Sequence, residues 1–295
     1  MTFLRRGALL AASAGLTLTL AACAGGDSDA EPGEAGNPVR IGVVGASDPQ
    51  WGIFEELAAE EGIEVEIVDF TDYTQPNPAL TDGDLDLNQF QHLLYLAQYN
   101  VADGQDLTPI GATAVYPLAL YSFEHESVED IPDGGEIAIP NDVTNQGRAL
   151  NVLQEAGLVT LTDDAGVVPT TTDIVAEESS VTVTPVEANQ TVVALDSVDA
   201  SIVNNDFVAD GGLDPADALF EDDAESEVAE PYINVWASRA EDADNETFHR
   251  LVELFSSEEV SDALVENSGG TASLANQDAG ELQDILAEIE SSLQE

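Results

Sequence analysis

The chain has 295 residues, 43% of them hydrophobic, and sets 59 acidic side chains against six basic ones, all arginine, for a net charge of −53. That balance excludes nucleic acid as a partner, because phosphate binding needs clustered cations, and it disfavours anionic membrane surfaces. Such charge self-repels unless salt screens it, within about 3 Å at molar ionic strength, so the owner is expected in saline or alkaline surroundings.

The N-terminus reads as an address. Arg5 and Arg6 precede an uncharged run of small apolar residues, 7–22. That run is short for a membrane span, which needs about 20 residues. It ends in Leu20-Ala21-Ala22-Cys23, and Cys23 is the only cysteine, so it has no internal disulfide partner. The stretch resembles the lipobox of bacterial lipoprotein signal peptides. The resemblance implies a signal peptide over 1–22, cleavage before Cys23 and lipidation of its sulfur; the export route stays open. Residues 23–38, rich in Gly, Pro, Ser and acid, read as a flexible linker.

From Val39 the apolar residues come in periodic blocks. "VRIGVVGA" (39–46) reads as a buried strand. "PQWGIFEELAAEEG" places Trp51, Phe54, Leu57 and Ala58 on one helical face and stops at Gly62. "IEVEIVDF" (63–70) is a second strand. A short helix follows, then a third strand near Leu85–Phe90 and a helix from about Gln91. "LTPIGATAVYPLALYS" holds two more strand-like runs. "GGEIAIP" is a strand, and "NQGRALNVLQEAG" a helix capped by Asn145. "SVTVTPVE", "VDASIVNND" and "YINVWASR" are strands, with a helix at "EANQTVVALD". The tail carries helices at "NETFHRLVELF" and "SSEEVSDALVEN", the second with Ser256 and Glu259 at capping-box spacing. This β-α-β-α order predicts an α/β chain with parallel sheets flanked by helices. Two runs of such units predict a two-lobed clamshell of the periplasmic-binding-protein kind. The expected boundaries are 39–121 plus 233–295 for lobe 1 and 122–232 for lobe 2.

Ligands of such sheets sit outside the carboxyl ends of the strands. Unusual residues fall at those points: Tyr73, then Phe90, His92 and Tyr95, then Arg148, Asn204 and Asn234. Singly, each has an ordinary reading. The aromatics suit a core, His92 a helix cap, the asparagines a turn, and Arg148 a surface pair with Asp142. As a set they meet the needs of a zwitterionic amino acid. Arginine supplies bidentate geometry to a carboxylate, asparagine carbonyls accept from an ammonium, and an aromatic box suits an apolar or sulfur-bearing side chain.

The blocks "IGVVG", "VDFTDYTQPNPAL", "GDLDLNQFQHLLYL", "YPLALYS", "IPNDVTNQGRAL", "VDASIVNNDFV" and "PYINVWASR" together resemble the NlpA/methionine-binding lipoprotein family, from about Val39 to the C-terminus. The resemblance implies two α/β lobes closing on methionine, delivered to the permease and ATPase subunits of an ABC importer. It implies that Tyr73, Phe90, His92 and Tyr95 surround the side chain, that Arg148 holds the carboxylate, and that Asn204 and Asn234 hold the polar end. Val143, Leu93-Leu94, Asn205 and Phe207 depart from the family's usual residues. The last two leave L-methionine, D-methionine and a methionyl dipeptide open, with L-methionine preferred.

No G-x-S-x-G elbow, Walker loop or second cysteine supports an enzyme. A metal-binding lipoprotein is a lesser alternative: His92, His125 and His249 are not spaced for shared ligation, and His125 is expected on solvated surface. The expectation is therefore a monomeric, lipid-anchored, extracytoplasmic binder with no cofactor, no metal, no catalytic residues and no nucleic-acid partner.

Overall fold

The computed structural model describes residues 32–294. The signal peptide, Cys23 and the first part of the linker lie outside the described residues. The rest of the linker is ordered, contrary to the expectation of a flexible segment to 38. Gly33 and Gly36 adopt φ of 92° and 85°, which close a tight turn. The Gly33 N–H donates to the Asn37 carbonyl, and the Gly33 carbonyl accepts from the Glu64 N–H, tying the turn to the first sheet.

The first sheet holds β1 (Val39–Val44), β2 (Val65–Phe70), β3 (Leu87–His92), β4 (Thr108–Ala112) and β11 (Asn234–Ser238) in the order β2-β1-β3-β11-β4. β1 pairs parallel with β2 and β3, while β11 runs antiparallel to both β3 and β4. Val39, Ile41 and Val43 are wholly buried, as a continuous apolar run predicts. Gly42 lets the strand pass Leu85, with which a Cβ would collide. Helix α1 (Pro49–Glu60) buries Trp51, Phe54 and Ala58. Its rings pack with Trp236 and Phe255 at centroid distances of 5.1–6.0 Å. Such pairs add about 0.5–1.5 kcal/mol each beyond area burial. α2 (Pro76–Thr81) and α3 (Leu93–Asp103) cover the other face.

The second sheet takes β6 (Ala119–Tyr121), β7 (Gly135–Pro140), β8 (Val181–Val186), β9 (Ala200–Val203) and β10 (Phe220–Glu221) in the order β10-β6-β9-β7-β8. Strands β8, β7 and β9 are parallel; β6 is antiparallel to β9 and β10. α4 (Val143–Glu155) buries Ala149, Leu150, Val152 and Leu153 on this sheet, with α5 (Thr191–Ala194) beside β9. Because β6 pairs with β9, the chain crosses to the second lobe before Ala119, earlier than the boundary expected after residue 121.

Three local expectations need correction. Asp142, not Asn145, caps α4, its carboxylate accepting from the Asn145 N–H at 2.9 Å. α6 (Glu246–Phe255) is followed by α7 (Glu258–Asn267), whose N-cap is Ser257 without a side-chain cap bond, so Ser256 and Glu259 form no capping box. A capping box does occur at Asp278 and Glu281, where it opens α8 (Ala279–Leu293), a helix the sequence analysis lacks. α8 inserts Leu282, Leu286 and Ile289 beside Leu93 and Leu96 of α3. The short strands β5 (Ala114–Val115) and β12 (Ser273–Leu274) pair near its start.

Candidate ligand-binding cleft

The carboxyl ends of β3, β7 and β9 face one cleft, and β11 enters it at its amino end because it runs the other way. This places Tyr73, Phe90, His92, Tyr95, Arg148, Asn204 and Asn234 around one space, with Tyr116, Asn145, Asn205 and Asp206. All seven expected residues are therefore brought together. The lobes meet across the cleft: Tyr73 donates to Asp206 at 2.7 Å, and Asn189 Nδ2 donates to the Thr71 carbonyl at 2.9 Å. In this closed arrangement the enclosed space is about 20 Å³, which suits a water molecule, so entry of an amino acid requires the lobes to part.

One wall is aromatic. Tyr73, Phe90 and Tyr95 lie 5.8–6.2 Å apart, and Phe207 of the second lobe comes within 5.2 Å of Tyr73. Tyr95 donates its hydroxyl to the Tyr73 carbonyl at 3.0 Å, which fixes the ring. Burial pushes the hydroxyls of Tyr73 and Tyr95 up, so both remain protonated donors.

The opposite wall is a hydrogen-bonded chain. His92 ends β3 and caps α3, its Nδ1 accepting from the Tyr95 N–H at 3.0 Å. The proton therefore sits on Nε2, which faces Asn145 Oδ1 at 3.3 Å. Burial, and then Arg148, hold the His92 pKa down at about 3, so the ring is neutral. Asn145 Oδ1 also accepts from Asn204 Nδ2 at 3.0 Å, while the Asn145 amide group donates to both Asp142 oxygens at 3.1 Å. Burial raises the Asp142 pKa, against the hydrogen bonds from Asn145. This arrangement leaves Asn204 Oδ1 buried and without a partner among the described residues. That oxygen is a ready acceptor at the cleft.

Arg148 stands in the second turn of α4 and is 6% exposed. It does not pair with Asp142. Its Nε and Nη2 fork onto Asp222 at 2.7 and 3.0 Å, Nη2 also donates to the Tyr116 carbonyl at 2.8 Å, and the guanidinium lies 4.1 Å over the Tyr232 ring. The fork expected for a ligand thus serves Asp222. Among the described residues no acceptor takes Nη1, which leaves that nitrogen for an anion.

Tyr116, Asp206, Asp222 and Tyr232 carry no strong sequence signal. Asp222 sits in the acid run "FEDDAESE", where nothing marks one carboxylate from its neighbours. Asp206 follows Asn204-Asn205 directly, and that adjacency was the available hint. Burial and neighbouring Asp48 raise its pKa, to about 7, against the hydrogen bond from Tyr73. A larger groove of about 710 Å³ opens on the outer side of lobe 1, between α6, α7 and the start of α8, and holds none of the seven residues. His125 is half-buried rather than solvated. It faces Asp199 at 3.0 Å with Glu124 nearby, and Asp199 also accepts from the Glu136 N–H.

The model of the NlpA lipoprotein family matches residues 39–275. The D-methionine-binding lipoprotein MetQ of Yersinia pestis is 38% identical over 261 residues, which are 87% of this chain and 93% of that protein. Among solved structures, protein PG110 from Staphylococcus aureus superposes with a TM-score of 0.80 at 39% identity, covering 86% of this chain and 99% of that one. A nutrient-binding protein from Burkholderia cenocepacia, solved bound to methionine, gives 0.74 at 32% identity, covering 80% and 99%.

Proposed function

The chain belongs to the NlpA lipoprotein family, and from that premise we propose that it captures methionine between its lobes and hands it to the permease and ATPase subunits of an ABC importer. The observation that carries this reading is the convergence of a cation, an unpartnered carbonyl oxygen and an aromatic wall on one interlobe cleft. Arg148 Nη1 takes the ligand carboxylate, a charge-assisted bond of the stronger kind. Asn204 Oδ1, with Asn234 beside it, takes the ammonium. Tyr73, Phe90, Tyr95 and neutral His92 surround the thioether, which packs well against ring edges.

The site suits binding and release rather than chemistry. It offers no activated nucleophile, and its histidine is held neutral with both nitrogens engaged. The protein is a carrier without turnover, held by a lipid on Cys23 at the outer face of the membrane. The hydrogen bonds between the lobes favour the closed form, and closure around methionine is what a permease would recognise.

Calorimetric titration with L-methionine, D-methionine, glutamate and arginine tests the reading. L-methionine is expected to bind most tightly. A charged amino acid binding as tightly as methionine would overturn it, since burying an added charge against this wall costs several kcal/mol.

A further inference from the structure

Beside the cleft lies a second cavity of about 30 Å³. It shares Phe90, Tyr116, Asn205, Asp206 and Asn234 with the cleft, but opens toward the start of α1 and the end of α7. Its lining is rich in acceptors. Asp48 and Gln50 come from the first lobe and Asp206 from the second. Gln50 donates Nε2 to Asp48 Oδ2 at 3.2 Å, which fixes the amide orientation; the reverse would set two oxygens together. Gln50 Oε1 is then buried with no partner, in a residue only 6% exposed. Asp206 accepts from Tyr73 and from Asn205, and among the described residues no arginine pairs with it.

The cations are committed elsewhere. Arg40 pairs with Asp86, Arg148 with Asp222, Arg239 with Asp86 and Asp242, and Arg250 with Glu61 and Glu253. With the lobes together, two half-buried carboxylates line one cavity, with an orphan carbonyl oxygen beside them and no counter-charge among the described residues. In its ionised form Asp206 repels Asp48, which a proton or a bound cation relieves. The cavity has the volume for a small ion and a water, and none for an amino-acid side chain. Hard oxygen donors of this kind suit a hard cation.

We infer that this cavity is a site for a small hard metal cation, held by Asp48, Gln50 Oε1 and Asp206 and joining the two lobes as they close. The inference stands on these residues alone and does not depend on which solute the cleft takes.

The test starts from chelator-stripped protein in choline chloride, a cation too large for the cavity. Choline is exchanged for sodium at constant ionic strength, or calcium is added, and thermal unfolding is followed without methionine. A saturable rise in Tm of about 3–5 °C is expected with at least one of the two ions, as for any ligand that binds only the folded chain. Asp206→Asn and Asp48→Asn should each abolish the saturable part. Gln50→Leu, which keeps every charge, should weaken cation affinity by about tenfold. The double substitution Asp163→Asn/Asp164→Asn removes two exposed charges elsewhere and should leave the response intact. A rise that never saturates, or that persists unchanged in Asp206→Asn, is diffuse screening and overturns the site. Methionine titration gives an independent reading. Affinity should be about tenfold higher with the cation present; a fall in affinity as the cation rises would mean that the ligand ammonium takes the cavity instead.

Discussion

Replacing Arg148 by alanine tests the cleft most directly, because the residue has two duties. The structure changes what the substitution should do. From the sequence alone, a helix-start arginine facing a wet cleft contributes little to the fold. In the structure it is 6% exposed, forks onto Asp222, which is 19% exposed, and donates to the Tyr116 carbonyl. Removing one partner of a buried ion pair costs about 3–5 kcal/mol. The partial exposure of Asp222 returns some of this through hydration, so about 2–4 kcal/mol is the expected share. Loss of the donor to Tyr116 adds about 1 kcal/mol. Arg148→Ala should therefore lower unfolding free energy by about 3–5 kcal/mol, a large part of the ~5–15 kcal/mol of an ordinary domain. Urea unfolding measures that loss. Adding Asp222→Asn should recover most of it, since the amide oxygen can still accept from Leu118 N–H, now 2.8 Å from the carboxylate, without stranding a charge. Methionine affinity should not recover. It should stay about 30-fold to several thousand-fold below that of the natural protein, the cost of a truncated charge-assisted bond. Arg148→Lys should fall between, because a point charge cannot serve Asp222, Tyr116 and a ligand together. Near-native affinity in the folded double variant would remove Arg148 from the binding site. Unfolding of the single variant within about 1 kcal/mol of the natural protein would refute the buried pair.

Three further outcomes are expected. His92 has a folded pKa of about 3 against 6.5 in the unfolded chain. Both forms are neutral above pH 6.5; as pH falls toward 3 only the unfolded chain takes the proton, so stability is lost across that window. His92→Asn keeps an acceptor for the Tyr95 N–H and should flatten the loss of unfolding free energy between pH 6.5 and 4.5; an unchanged slope would mean the histidine is not buried neutral. Cys23→Ser should abolish lipidation and release a soluble or uncleaved form, and a variant that still partitions with membranes after signal removal would refute the lipobox reading. A net charge of −53 should make stability rise with salt across a series to molar concentration, and a flat response would count against a saline habitat.

That the seven expected residues share one cleft is legible in the sequence because the topology of the sheets sets loop residues past the strands at one edge. Loop residues just past strands, with an arginine in a chain that has six, stand out against an acidic background. Their partners were not legible. Asp222 is one carboxylate among 59, and only the fold brings it to Arg148. Asn145 read as a cap because cap preference is local, whereas its observed task, linking Asp142 to Asn204, depends on two lobes meeting. The α8 helix was missed although Asp278 and Glu281 spell its capping box, because acid dominates its exposed face and its apolar stripe is thin. The crossing before Ala119 was missed for a related reason: "YPLALYS" is apolar whichever sheet receives it, and only pairing with β9 decides.

The same scarcity of cations explains why the cleft is built as it is. In a chain of ordinary composition, a lysine or arginine could neutralise each buried carboxylate. Here each described arginine already answers one or two acids. Asp142 is half-buried beside neutral asparagine and threonine instead, held by donated hydrogen bonds. Asp206 has a tyrosine and an asparagine. Hydrogen bonds to a carboxylate offset desolvation only in part, so each such site keeps an unmet demand for positive charge. On the proposed reading, a ligand ammonium meets that demand at Asn204, and a small cation meets it at Asp48 and Asp206. In both places something arriving from outside would add to the hydrogen bonds that already hold the lobes together.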